Sequence, residues 1–223
     1  MQPPPSSNRK NYQIISHLRL RTAIGALGIL LPFVLVIVDS IDIGHFHIEF
    51  SISDYYDNNI AGDLLVGVLF VLGFFLWAYR GYEPVDDWVS NSGFFFALGV
   101  ALFPTTSKIA FVHKMHFVFA LLLFTSFIVF SLYLFRKKPK DEDKVTEKKE
   151  TRNKAYLVCG IIMIVCIIMI ALGSFGLLGK ATSEYKLVFW FETIGLVAFG
   201  FSWITKGELL WADANSFDEE EKK

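Results

Sequence analysis

The apolar positions of this 223-residue chain fall into long, almost unbroken runs, without the alternation of a half-buried strand or the three-to-four spacing of a half-buried helix. Crossing a hydrocarbon layer as a helix takes about 20 apolar residues. Five runs meet that length or approach it: 22–40, 62–79, 116–135, 156–178 and 187–204. A sixth, 92–103, is shorter and stops at Pro104, which lacks an amide hydrogen and disfavours helix in the residue before it. It counts as a span because the charge pattern of the flanks fails without it. The pattern predicts an all-α fold: a polytopic integral membrane bundle of six transmembrane helices.

Charge sets the orientation. Arg9, Lys10, Arg19 and Arg21 precede the first run, Arg80 follows the second, "RKKPKDEDKVTEKKETRNK" follows the fourth and Lys206 follows the sixth. The segment 41–61 has no Lys or Arg, and the other segments on its side carry only Lys108, Lys114, Lys180 and Lys186. Lys and Arg gather on the cytoplasmic side, so both termini are expected there, in a bacterial inner or plasma membrane. The expected organisation is a cytoplasmic N-terminal segment (1–21), a transmembrane domain (22–206) with a mobile charged cytoplasmic loop (136–154), and an acidic cytoplasmic tail (207–223). Basic residues before the first run also suit a signal peptide. No small-x-small cleavage site follows "LLPFVLVIVDSID", so an uncleaved span is expected.

Composition agrees: 53% hydrophobic residues, 23 Phe and a mean hydropathy of +0.46 exclude an ordinary soluble domain of this size. A net charge of -1, segregated along the chain, carries topology and no nucleic-acid signal. Cys159 and Cys166 lie inside an apolar run, where a thiol acts as a small hydrophobe. Glycines at close intervals in the spans, such as Gly25, Gly28, Gly195 and Gly200, fit close helix packing. Trp77, Trp88, Trp203 and Trp211 are placed as an inner aromatic belt.

The polar chemistry collects on the outward side. "GHFHIEFSISDYYDNN" (44–59) holds His45, His47, Glu49, Ser51, Ser53, Asp54, Tyr55 and Tyr56 between two spans. His113 and His116 stand three apart in "HKMH", on one face if a helix starts before them. Two imidazoles plus a carboxylate make zinc the candidate cofactor, although the glutamate of the metalloprotease helix motif is absent. Glu192 lies inside the last span, where a carboxylate is costly unless paired, protonated or facing a cavity. Asp54 is a candidate base or ligand, and equally a cap for local loop structure. No G-x-S-x-G elbow and no phosphate-binding glycine loop occurs. Glu83, Asp86, Asp87 and Glu208 fall in inward loops and are expected to serve solvation and helix capping.

"ISDYYDNN" before "LLVGVLFVLGFFL", then "SGFFFALGVALFPTT", "HKMHFVFALLLFTSFIVFSLYLF" and "FWFETIGLVAFGFSWI" resemble, in order, the six-span superfamily of the DRAM and Sfk membrane proteins, the GPI-anchor remodelling proteins and bacterial relatives of unknown function. That resemblance covers 22–206 and implies Ser53 and Asp54, His113 or His116, and Glu192 as site residues. The tyrosine pair, and Thr193 where eukaryotic members carry Trp, depart from it. Ceramidase-type membrane hydrolases resemble the chain only in placing His and Asp near a membrane surface; their seven spans and wider histidine spacing do not match.

Three functions stand open on these residues. The first is binding of a membrane lipid or lipid-linked headgroup at an outward pocket, with Ser53 and Tyr55 as binding residues. The second is a metal-dependent lipid hydrolase or transferase, with His113 and His116 on the metal and Asp54 and Glu192 as catalytic carboxylates. The third is a proton-coupled transporter using Glu192, which no polar chain through the spans supports.

Overall fold

The structure, a computed structural model, describes residues 6–81, 83–137 and 146–211, with side chains from residue 17 onward. Expectations for 1–5, for 138–145 and for the tail 212–223 lie outside the described residues. Six long helices dominate: α1 (Ser6–Ile43), α2 (Asn59–Ala78), α3 (Pro84–Leu102), α4 (Ala110–Leu132), α5 (Glu147–Ser174) and α7 (Leu187–Lys206). A single-turn α6 (Ala181–Glu184) and two 3₁₀ turns, Ile52–Asp57 and Leu134–Arg136, complete the described elements, and no strand occurs among them.

Helix boundaries follow local chemistry. α3 starts at Pro84, whose missing amide costs nothing at a first turn, behind a capping box made by Glu83 and Asp86. α5 starts where the Thr146 side chain accepts the Lys149 amide. The block 136–154, expected to be a mobile loop, is therefore helical from Glu147 onward, and Arg152 is buried. α1 likewise begins at Ser6, inside the segment read as a lead-in. At 38 residues it extends about 57 Å, well past an apolar layer of about 30 Å.

The long helices pack as a closed ring in which α1 touches α2 and α7, α2 touches α3, α3 touches α4, α4 touches α5, and α5 touches α7. The face turned out from this ring is apolar, with Leu30, Ile37, Phe74, Phe117, Leu121 and Ile161 all exposed. Water does not tolerate so continuous an apolar surface, whereas a bilayer does. Five of the helices are long and apolar enough to cross a membrane, α3 being the exception. The chain is an integral membrane protein by this measure.

Close backbone approach holds α1 to α7. A Cβ on Gly25 would fall 2.7 Å from Ile204 Cγ1, and one on Gly200 would strike the Gly25 carbonyl oxygen. The end of the ring away from the 44–59 segment is closed by a layer of rings in which Trp203 meets Tyr79, Phe130 and Phe135. Trp203 is fully buried, unlike the exposed Trp77, Trp88 and Trp211, so it belongs to the core and not to a belt. Arg21, Arg152 and Lys206 are buried beside this layer, with Arg21 donating to the Lys206 carbonyl. Asp86 is buried too and pairs with Lys137 at 3.1 Å, which also reaches Glu83 at 2.8 Å.

Candidate functional site

The Ile52–Asp57 turn lies over the opposite end of the ring, touching α1, α2 and α7. Its start is a capping box: the Asp54 amide donates to Ser51 Oγ at 3.2 Å, and the Ser51 amide donates to Asp54 Oδ2 at 3.0 Å. Two adjoining contacts press the turn down. Tyr55 is fully buried and accepts the Glu49 amide on its hydroxyl at 3.1 Å, while the Phe189 amide at the start of α7 donates to the Phe50 carbonyl at 3.0 Å. Burial pushes the Tyr55 phenol up to about 12 against the counteracting Glu49 hydrogen bond. Gly62 completes the seat, because a Cβ there would occupy the place of the Tyr56 carbonyl oxygen.

Held this way, the turn brings three sequence-distant groups together. The Ile52 amide donates to Glu192 Oε2 at 2.6 Å, and Ser53 Oγ lies 2.9 Å from His116 Nε2. The other ring nitrogen of His116, Nδ1, lies 2.7 Å from the Phe103 carbonyl oxygen. A carbonyl only accepts, so Nδ1 carries the hydrogen, and in the neutral ring Nε2 is the acceptor for the Ser53 hydroxyl. His116 is 3% exposed. Phe103 follows the end of α3, so the break before Pro104 frees the carbonyl that orients this imidazole.

Beneath Ser53, His116 and Glu192 is a partly enclosed cavity of about 70 Å³ at the centre of the ring. Its remaining walls are almost wholly aliphatic and aromatic, among them Leu31, Leu69, Leu72, Leu123, Phe127 and Leu196. Glu192 is less than fully buried, and the cavity is what it lines. Tyr56 is the fourth polar wall residue, its hydroxyl donating to the Ala101 carbonyl at 3.2 Å.

The residues singled out in the sequence therefore divide. Ser53, His116 and Glu192 converge. Asp54 is spent on the capping box, and the Tyr55 hydroxyl on the Glu49 amide. His113 is exposed and directs Nδ1 to the Thr105 carbonyl, so it and His116 engage different backbone oxygens.

Among the described residues, the group with metal-ligand proximity is a different one: Asp39, His47 and Glu49, whose ligand atoms lie within 4.8 Å of one another. Asp39 is 1% exposed, 3.2 Å from His47 Nδ1, and accepts from Asn58 Nδ2 at 2.8 Å. Asn58 also donates to Glu49 at 2.9 Å. These bonds tie the end of α1 to the start of α2 across the intervening loop. Asp39 carried one signal in the sequence, a carboxylate at the end of a long apolar helix, and the pairing of Ser53 with His116 carried none.

No protein-family model, curated protein or solved structure matches the chain.

Proposed function

We propose that this chain is a six-span membrane protein with both termini on the cytoplasmic side of a bacterial inner or plasma membrane, and that it binds a membrane lipid or lipid-linked headgroup at the other end of the bundle. The observation that carries the reading is the convergence of Ser53, His116 and Glu192 at one side of a cavity otherwise lined by apolar side chains. Such a site suits the polar joint of a lipid and the few carbons beside it, the long apolar chains staying outside the cavity in the bilayer.

Two further observations support the topology. Arg80, Arg136, Lys137 and Lys206 all lie at the end of the ring away from the site, as a cytoplasmic end would have them. α3 has 19 residues and so a length of about 28 Å. Its exposed residues are Pro84, Val85, Trp88, Phe95 and Leu102, while Asp86 and Ser90 are buried. Its low hydropathy comes from side chains turned inward, which leaves an outer face suited to lipid. The resemblance to the DRAM and Sfk superfamily belongs to the same proposal: it implies Ser53 and Asp54, His113 or His116, and Glu192, and three of these, Ser53, His116 and Glu192, line the cavity.

The test is native mass spectrometry of detergent-purified protein, with wild type beside Ala120→Phe, which fills the cavity from its wall. Wild type is expected to retain lipid, and the variant to lose it at an unchanged fold. Protein that carries no lipid, and whose thermal unfolding no lipid headgroup shifts, would remove this reading.

A further inference from the structure

We infer that Ser53 is a nucleophile activated by His116 and that it takes up a short acyl group from an ester; the inference rests on the lipid reading for the source of that ester. The pair has the geometry such chemistry requires, a hydroxyl 2.9 Å from an imidazole nitrogen whose partner nitrogen is held by a third group. The Phe103 carbonyl is that third group, and it fixes the tautomer in which Nε2 receives a proton.

Ser53 Oγ takes no part in capping its turn, and its hydrogen bond is the one to His116. Ser51 makes the cap, and the contact of Thr105 with residue 53 goes to the Ser53 backbone oxygen, at 3.4 Å. The Ser53 amide is the second of the turn, one of the first amides that such a helix leaves without an intrahelical acceptor. It is a donor of the kind that stabilises an oxyanion, located at the nucleophile itself. Glu192 acts as a positioning residue, because its bond to the neighbouring Ile52 amide holds the segment that presents Ser53.

In the reaction, Ser53 Oγ attacks the ester carbonyl carbon as its proton passes to His116 Nε2. The tetrahedral intermediate collapses with cleavage of the bond to the alkoxy oxygen. That oxygen leaves with the proton from Nε2, as an alcohol, and Ser53 remains acylated. Water or a second alcohol, giving its proton to Nε2, then attacks the acyl carbon; the bond from that carbon to Ser53 Oγ breaks, Oγ takes the proton back from Nε2, and the acyl group leaves as a carboxylic acid or a new ester.

Cavity size selects the acyl group. At about 70 Å³ the space is roughly half the ~150 Å³ of an apolar cavity that admits benzene. It therefore holds an acyl group of about two to four carbons and no long fatty chain.

The experiment treats purified full-length protein in detergent with p-nitrophenyl acetate, butyrate and palmitate, and in parallel with a fluorophosphonate probe, followed by peptide mass spectrometry. Wild type is compared with Ser53→Ala, Ser53→Cys, His116→Gln and, as a control, Ser183→Ala. The expected result is acyl and phosphonate modification on Ser53, with acetate and butyrate ahead of palmitate. Ser53→Ala should lose the modification while still unfolding in one cooperative transition, its midpoint lowered by the loss of the bond to buried His116, and His116→Gln should slow acylation by about 10²–10⁴-fold. Ser53→Cys, alkylated by iodoacetamide with a rate that depends on His116, guards against a variant that merely misfolds. Modification that persists in Ser53→Ala, a preference for palmitate, or an unmodified wild type would overturn the inference. Lipid retention by that same unmodified protein would leave the binding reading standing, so the two fail separately.

Discussion

The Ile52 amide donates to the Glu192 carboxylate at 2.6 Å across 140 residues of chain, and this bond joins the turn over the cavity to the last helix of the ring. A buried amide deprived of its acceptor costs about 1–3 kcal/mol. Glu192→Ala is therefore expected to lower stability by that amount in denaturant titration, and Glu192→Gln, which keeps an acceptor oxygen, by clearly less. Equal losses in the two variants would show that the bond does not hold the turn.

The α1–α7 crossing offers a paired test of packing. Gly200→Ala places a methyl against the Gly25 carbonyl and 2.6 Å from Ile29 Cγ1, and such overpacking costs about 1–3 kcal/mol. Gly67→Ala meets nothing within 4 Å and should leave the unfolding midpoint unchanged or slightly raised. A Gly200→Ala variant as stable as wild type would mean that α1 and α7 lie farther apart.

Tyr55 should reveal itself in an alkaline titration. Its folded pKa of about 12 exceeds the ordinary 10.0, so the stability it contributes is whole below pH 10 and is lost as pH rises towards 12. Following tyrosinate absorbance, one phenol is expected to ionise late in wild type and to be missing from Tyr55→Phe. A variant with the same late phase as wild type would reassign it to another tyrosine.

Lys137 makes a prediction at the opposite end. Burial presses its ammonium downward, and the hydrogen bonds and charges of Glu83 and Asp86 outweigh that, so its pKa stands above 10.5. A raised lysine contributes in full below 10.5 and loses its contribution as pH rises through the higher folded value. Lys137→Met should cost about 1–3 kcal/mol near neutral pH, because Asp86 is left buried with a partner removed. On the alkaline side the gap between variant and wild type should hold up to pH 10.5 and close above it. A gap already absent at neutral pH would show that the ammonium does not hold Asp86.

Long apolar runs determined the membrane class and five of the helices, because hydropathy over about 20 residues is a property of composition and needs no neighbours. α3 was harder to read: Asp86 and Ser90 depress its hydropathy, and only the ring shows that they face inward. The helical start of α5 was hidden for a related reason. Arg152 and Lys149 read as solvated charge, yet one is buried and the other donates to the Phe135 carbonyl at 2.9 Å.

For the site, the sequence by itself determined that Ser53, His116 and Glu192 share one end of the bundle, since the alternation of spans sends their segments to the same side. Tertiary structure alone decided which of the polar residues there meet. It committed Asp54 to a cap, set His113 and His116 on different backbone carbonyls, and drew Asp39 to His47. The physical reason is range: capping and hydropathy act over a few residues to a span, whereas the 2.9 Å between Ser53 and His116 depends on how five helices and a turn pack around a common cavity.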